Sequence, residues 1–346
     1  MLSGSKRIVE LDYAKGIGIF LVVFRHMMIL QNDYSAVEKF LAVCINSFTM
    51  PLFLIISGIV TGIRATEMKI EKTARQRLIP YLCWSIIYVV CNFFGNPDWL
   101  SSTLERGYAC LSGRGIAPLW FLAALFLAEA LSEMLLRLLK RSGFSHEVGI
   151  IVEVCLFLLL SEAAFLLYGC LPPAATTAEK LVEYPLISVV RTFPAALFFC
   201  IGRGAGRHWD KIREHRWPIM AGSLILFSVA QGITQNSTNM HLFSFDSMAV
   251  FVITGISGTF AVIGFCCILP CGLKILERAG KGSLDIMALH YPPLPIYRLL
   301  YIGASRIGIE KAHILLTIVV FAACYAIHWH IIEKARGHIM RAKVCS

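Results

Sequence analysis

The sequence predicts an all-α membrane protein, a bundle of about ten transmembrane helices. Three observations carry that prediction. Only 16% of the 346 residues are charged while 57% are hydrophobic, and mean hydropathy is +0.69; a soluble domain carries roughly 25% charge. Apolar runs long enough to cross about 30 Å of hydrocarbon recur along the whole chain. Basic residues alternate sharply between the segments that join those runs.

The runs lie near 12–30, 42–63, 79–95, 118–136, 148–169, 185–202, 217–235, 247–271, 283–303 and 312–333. With the N-terminus inside, cytoplasmic segments hold twenty-two Lys and Arg. The outer segments hold six: Lys39, Arg106, Arg114, Lys180, Arg306 and Lys311. Ten crossings then place both termini in the cytoplasm. The net charge of +10 follows from this asymmetry and requires no nucleic acid. The opening "MLSGSKRIVELD" leads into a span with no small-residue cleavage pattern, and the joining segments are too short to fold alone. A single domain over 1–346 is therefore expected, with no appended soluble part. Most of the 12 cysteines fall inside spans as small apolar side chains. Cys110 and Cys170 are the one outer pair that could form a disulfide. No Cys/His spacing suits zinc, so no metal is expected.

The first run, "LDYAKGIGIFLVVFRH" from Leu11 to His26, carries the chemistry. Lys15 and His26 are eleven residues apart, about 1100° of helix, roughly 20° off three turns, with a rise of about 16 Å. Both side chains therefore share one face, with Lys15 near the cytoplasmic entrance and His26 past mid-membrane. Arg25 points about 100° away. Basic groups at helix centre cost roughly 2.5–3.5 kcal/mol and usually face a bundle interior or a wet cavity. The structural alternative is a snorkelling Lys15 and a His26 that hydrogen-bonds a neighbouring helix.

Here the chain resembles the acyltransferase-3 family of integral-membrane acyltransferases. Leu11-Asp12, Lys15 and His26 match its first-helix signature, an Arg or Lys, ten residues, then His. "MPLFLIISG" (Met50–Gly58), "RQRLIPYLCW" (Arg75–Trp84), "PLWFLAALF" (Pro118–Phe126) and "GSLDIMALHYP" (Gly282–Pro292) match further family blocks, in order. Two positions depart from the pattern. Lys15 is a point charge where many relatives have a bidentate Arg, and Thr49 stands where some have His. The resemblance implies O-acylation of a carbohydrate. It points to cytoplasmic acyl-CoA, expected to be acetyl-CoA, as co-substrate, no tightly bound cofactor, and an envelope or lipid-linked saccharide as acceptor. A multi-pass protein of the bacterial cytoplasmic membrane follows from it.

Within that reading His26 is the general base for a hydroxyl acceptor, since neutral imidazole offers an acceptor nitrogen. Lys15, Arg75 and Arg77 are the donor-binding candidates, although the two arginines also serve as topology signals. Asp12, three residues before Lys15, pairs with it or orients it. Ser57 offers a hydroxyl, but Gly58-x-x-x-Gly62 beside it reads as a packing seam. Trp120 is a belt anchor or a sugar platform. Glu129, Glu153 and Glu162 are intramembrane acids without evident partners. His290 precedes Pro292, Pro293 and Pro295, which should break the ninth helix beside a cavity.

Three signals are set aside. "GRGAGR" (Gly202–Arg207) follows no strand and is no nucleotide loop. "NST" (Asn236–Thr238) has the form of a glycosylation acceptor. His328 and His330 are expected to face headgroups or neighbours rather than a metal. The rival function is a secondary transporter, which would share the buried charges and the broken helix.

Overall fold

The computed structural model describes residues 7–31, 35–64, 68–93, 98–172, 174–291, 294–308 and 313–334. Lys6, Lys311, Arg336, Arg341 and Lys343 of the charge pattern, with Pro292 and Pro293, lie outside them. The order is α1 (Val9–Gln31), α2 (Ala36–Arg64), α3 (Ile70–Phe93), α4 (Trp99–Leu111), α5 (Trp120–Arg141), α6 (His146–Gly169), α7 (Thr177–Val190), α8 (Thr192–Arg207), α9 (Trp209–Glu214) and α10 (Arg216–Thr234). A two-residue hairpin follows, β1 (Thr238–Asn239) with β2 (Ser244–Phe245). Then come α11 (Met248–Ile268), α12 (Lys274–Lys281), α13 (Ser283–Leu289), α14 (Pro295–Arg306) and α15 (His313–Ile327), which runs into a π-helical turn, His328–Ile332.

Among the described residues, seven helical segments have the length and hydropathy of a membrane span. They are Ala36–Arg64, Ala117–Arg141, His146–Gly169, Thr177–Arg207, Arg216–Thr234, Met248–Ile268 and His313–Ile332. Each covers one expected run. The remaining runs are also helical: α1 and α3 cover two, and the α13/α14 pair covers the ninth, interrupted before Pro295. The protein is therefore a helical, multi-pass membrane protein. The segment 96–117, read from sequence as loop, contains the helix α4.

The chain divides into two compact units, residues 1–7 with 43–269, and residues 8–42 with 270–346. In the first unit, glycine spacing sets the packing of α2 on α8. A Cβ placed at Gly58 or Gly62 would strike the carbonyls of Phe199 and Arg203, and one at Gly202 or Gly206 would strike those of Ile55 and Ile59. The predicted Gly58-x-x-x-Gly62 seam thus meets a second, Gly202-x-x-x-Gly206, inside the very "GRGAGR" that is no nucleotide loop. Lipid tails are as apolar as the helices, so close backbone approach is what drives such packing.

The first unit also buries charge beside counter-charge. Arg203, 2% exposed, lies 3.5 Å from Glu153 and 3.9 Å from Glu133. Ser132 donates to Glu153 at 3.0 Å, and Arg137 donates to Glu133 at 2.9 Å and to the Met68 carbonyl at 2.7 Å. Arg203 therefore lies buried within α8 and not in a loop. It is the partner that Glu153 lacked.

In the second unit α1 packs on α12 by the same device. A Cβ at Gly16 or Gly280 would collide with the carbonyls of Leu276 and Asp12. The Tyr13 hydroxyl accepts the backbone N–H groups of Gly272 and Leu273, both at 3.1 Å, which ties α1 to the start of α12. Two further features of the sequence find their place here. Cys110 and Cys170 are free thiols. Asn236 is 1% exposed and spends its amide on Ser247, accepting at 2.8 Å and donating at 3.2 Å, so it is no glycan acceptor.

Replacing Gly58 or Gly202 by Leu should separate α2 from α8 and lower the thermal midpoint of the detergent-solubilised protein by well over 5 °C. Gly107, where an added Cβ meets nothing, should accept Ala with no loss. Equal behaviour of the two classes would refute the seam.

Candidate active site

In the second unit, the residues expected to carry the chemistry are positioned by α1 and α13. Lys15 is half-buried and pairs with Asp12, Nζ to Oδ1 3.2 Å, one turn earlier on α1. Asp12 is itself 2% exposed, and Gly280 abuts its backbone. The pair is thus anchored rather than trailing in solvent.

His26 meets His290. Nδ1 of His26 lies 2.7 Å from Nε2 of His290, whose own Nδ1 lies 2.9 Å from the carbonyl oxygen of Ile286. The ring centroids are 4.9 Å apart and the planes 23° from parallel. That separation is the N···N distance plus two ring radii, so the rings meet edge to edge, close to coplanar, and are not stacked face on face. Tyr291 turns its ring edge-on to His26, at 5.3 Å and 83°. His26 keeps part of its surface exposed while His290 has none.

The short helix α13 organises this. Asp285, one turn before the His290 end, receives a bond from Nδ1 of His328 at 2.8 Å, and both residues are buried. The His328 ring seats against Gly282. His328 therefore turns inward, from the π-helical turn, to the carboxylate of α13, which is the neighbour rather than the headgroup alternative. Glu38 and His313 form another such pair at 2.6 Å. Neither acid was legible from sequence, because 43 and 275 positions separate the partners.

In the first unit, Arg77 makes a two-point bond with Glu129, Nε to Oε2 at 3.1 Å and Nη2 to Oε1 at 2.9 Å. Ser57 donates to the same Oε1 at 2.6 Å. Glu129 is 2% exposed and Arg77 only partly buried. One edge of the guanidinium is thereby fixed by a carboxylate. Arg75 is exposed and pairs with Glu71 at 2.7 Å. Ser57 thus joins a charged cluster as well as flanking the glycine seam.

Trp120 is buried. Its ring carries the Arg191 guanidinium at 5.0 Å and is stacked by His241 at 5.6 Å. Arg191, fully buried, donates to the carbonyls of Gly113, Arg114 and His241. Gly113 and Gly115 reach positive φ, +77° and +78°, to present that loop, which glycine alone does cheaply. Trp120 is therefore packed beneath a strapped loop. A cavity of about 830 Å³ opens nearby in the same unit, walled by Phe165, Tyr168, Val182, Glu183, Phe243 and Arg114. No cluster of metal-binding side chains occurs among the described residues.

The chain matches the acyltransferase-3 family, whose domain is described as an acyltransferase domain, over residues 8–331. It belongs to that family. The match runs through both units, spans α1 and α13, and reaches into the π-helical turn. Comparison with curated proteins gave no match. The acyltransferase is thus a multi-pass membrane enzyme by family and by fold.

One pH dependence follows outside the spans. Burial first, then the Arg114 and Arg191 charges, pushes His241 down from the ordinary 6.5 to about 3. Between those values the unfolded chain binds a proton that the folded chain refuses, so stability falls as pH drops below about 6.5. His241→Phe in this acyltransferase should flatten the fall of thermal midpoint between pH 6.5 and 4; an unchanged slope would show that the loss arises elsewhere.

Proposed function

We propose that this acyltransferase moves an acetyl group from cytoplasmic acetyl-CoA to a hydroxyl of an envelope or lipid-linked saccharide, with His26 as general base. The supporting observation is an imidazole of partial exposure, on the face of α1 that carries Lys15, held in one orientation by the buried His290. A general base must be both positioned and accessible. In the reaction, His26 takes the hydroxyl proton as the oxygen attacks the thioester carbon. The C–S bond then breaks, and the proton passes from His26 to the departing thiolate. Free coenzyme A and the ester are the products, and no net proton is gained or lost.

Lys15 steers the anionic donor, and Arg75 and Arg77 neutralise its phosphates. Glu129 occupies the Nε/Nη2 edge of Arg77, which leaves Nη1 as the edge for a phosphate oxygen. Asp12 keeps Lys15 oriented, and Ser57 keeps Glu129 oriented. In this reading the enzyme crosses the bacterial cytoplasmic membrane ten times with both ends inside.

The test uses inside-out membrane vesicles from cells that make the protein, supplied with acetyl-labelled acetyl-CoA. Base-labile label should appear on envelope saccharides in these vesicles and not in vesicles lacking the protein. Accumulation of label within the vesicles without any ester would instead establish transport. The double substitution Arg77→Gln/Glu129→Gln, which leaves no orphaned carboxylate, should raise KM for acetyl-CoA on the order of tenfold, the worth of a charge-assisted hydrogen bond, with kcat nearly preserved. An unchanged KM would remove Arg77 from the donor site.

A further inference from the structure

We propose that His290 is a positioning residue that fixes the tautomer of His26, keeping a proton on Nδ1 and the lone pair on Nε2. The inference rests on the reading of His26 as base, and it names the group on which that base depends.

The argument is proton counting along two hydrogen bonds. The Ile286 carbonyl can only accept, so the 2.9 Å bond from His290 requires hydrogen on Nδ1 of His290. A neutral imidazole carries one N–H, so Nε2 of His290 holds a lone pair. That lone pair lies 2.7 Å from Nδ1 of His26, and the bond exists only if His26 supplies the hydrogen. A neutral His26 then has its lone pair on Nε2, the nitrogen turned away from His290. The opposite arrangement, with His290 charged, would place a cation on a residue with no exposed surface, which the membrane interior disfavours.

The geometry leaves His290 little freedom. Its backbone N–H bonds the same Ile286 oxygen at 3.2 Å, so main chain and ring are fixed to one acceptor at the end of α13. Asp285 on that helix is held in turn by His328. Tyr291 lies edge-on to both imidazoles, at 5.3 Å from His26 and 6.2 Å from His290. The arrangement parallels the way a carboxylate holds the base of a serine protease, where loss of the correct tautomer costs about 10⁴ in kcat. Here a neutral ring and a main-chain carbonyl take that part. When His26 receives the acceptor's proton on Nε2, its Nδ1–H still donates to His290, and the bond strengthens with the charge.

The experiment is ¹⁵N spectroscopy of ring-labelled histidine in the full-length protein in nanodiscs, with the His26 signals assigned by their loss in His26→Gln. The wild type should show His26 protonated at Nδ1 and bare at Nε2. His290→Phe should shift His26 toward the other tautomer and lower kcat on the order of 10²–10⁴-fold, the range of general-base catalysis, with KM for acetyl-CoA within about twofold. His290→Gln, whose side-chain carbonyl can sit where Nε2 sits, should restore the tautomer and bring kcat within about tenfold of wild type. A wild-type His26 protonated at Nε2, or a tautomer unmoved in His290→Phe, overturns the inference. The wild-type spectrum decides it even if His290→Phe does not fold. Should the tautomer behave as stated while His26→Gln still turns over at the wild-type rate, the positioning role stands and the base assignment falls.

Discussion

An imidazole on a membrane helix must find its hydrogen-bond partners within the protein, because hydrocarbon supplies none. In this chain that requirement is met by one carbonyl at the end of a seven-residue helix. Ile286 orders His290, and His290 orders His26. The short helix can present its last turn this way because the chain breaks before Pro295, and irregular backbone is tolerated at depth where protein satisfies it. The other end of α13 is held through Asp285 and His328. The candidate base thus depends on a short and largely buried helix.

The same constraint explains the charges elsewhere. Arg203 sits between Glu133 and Glu153, Arg77 is gripped by Glu129, and Lys15 by Asp12. Each is a cation whose burial would otherwise be costly. The glycine seams are a second device, which brings the backbones of α2 and α8, and of α1 and α12, into direct contact. α8 shows both devices together, with Gly202 and Gly206 against α2 and Arg203 between two acids.

Much of this was legible in the sequence. Hydropathy located the seven helical segments long and apolar enough to cross a membrane, because crossing hydrocarbon demands length and apolarity that composition cannot hide. The Gly58/Gly62 seam was readable because small residues four apart have few other uses in a membrane helix. The Lys15/Asp12 pair was readable because helical neighbours are fixed by spacing. What stayed hidden was long-range pairing. Nothing in the residues around Glu129 or Glu153 names Arg77 or Arg203, since the contacts span 52 and 50 positions. The inward turn of His328 depends on a π-helical turn that shifts its facing, and no periodicity announces one. Trp120 was open to two readings from its place near a span end, belt anchor or sugar platform, and no local pattern announced the Arg191 and His241 contacts on its ring.

The central claim is that His26 performs proton transfer and does not merely join two helices. Chemical rescue tests it most directly. In His26→Gly protein, acetyl transfer should fall on the order of 10²–10⁴-fold and recover in proportion to added imidazole. His26→Gly protein that transfers acetyl at the wild-type rate with no imidazole present would contradict the account.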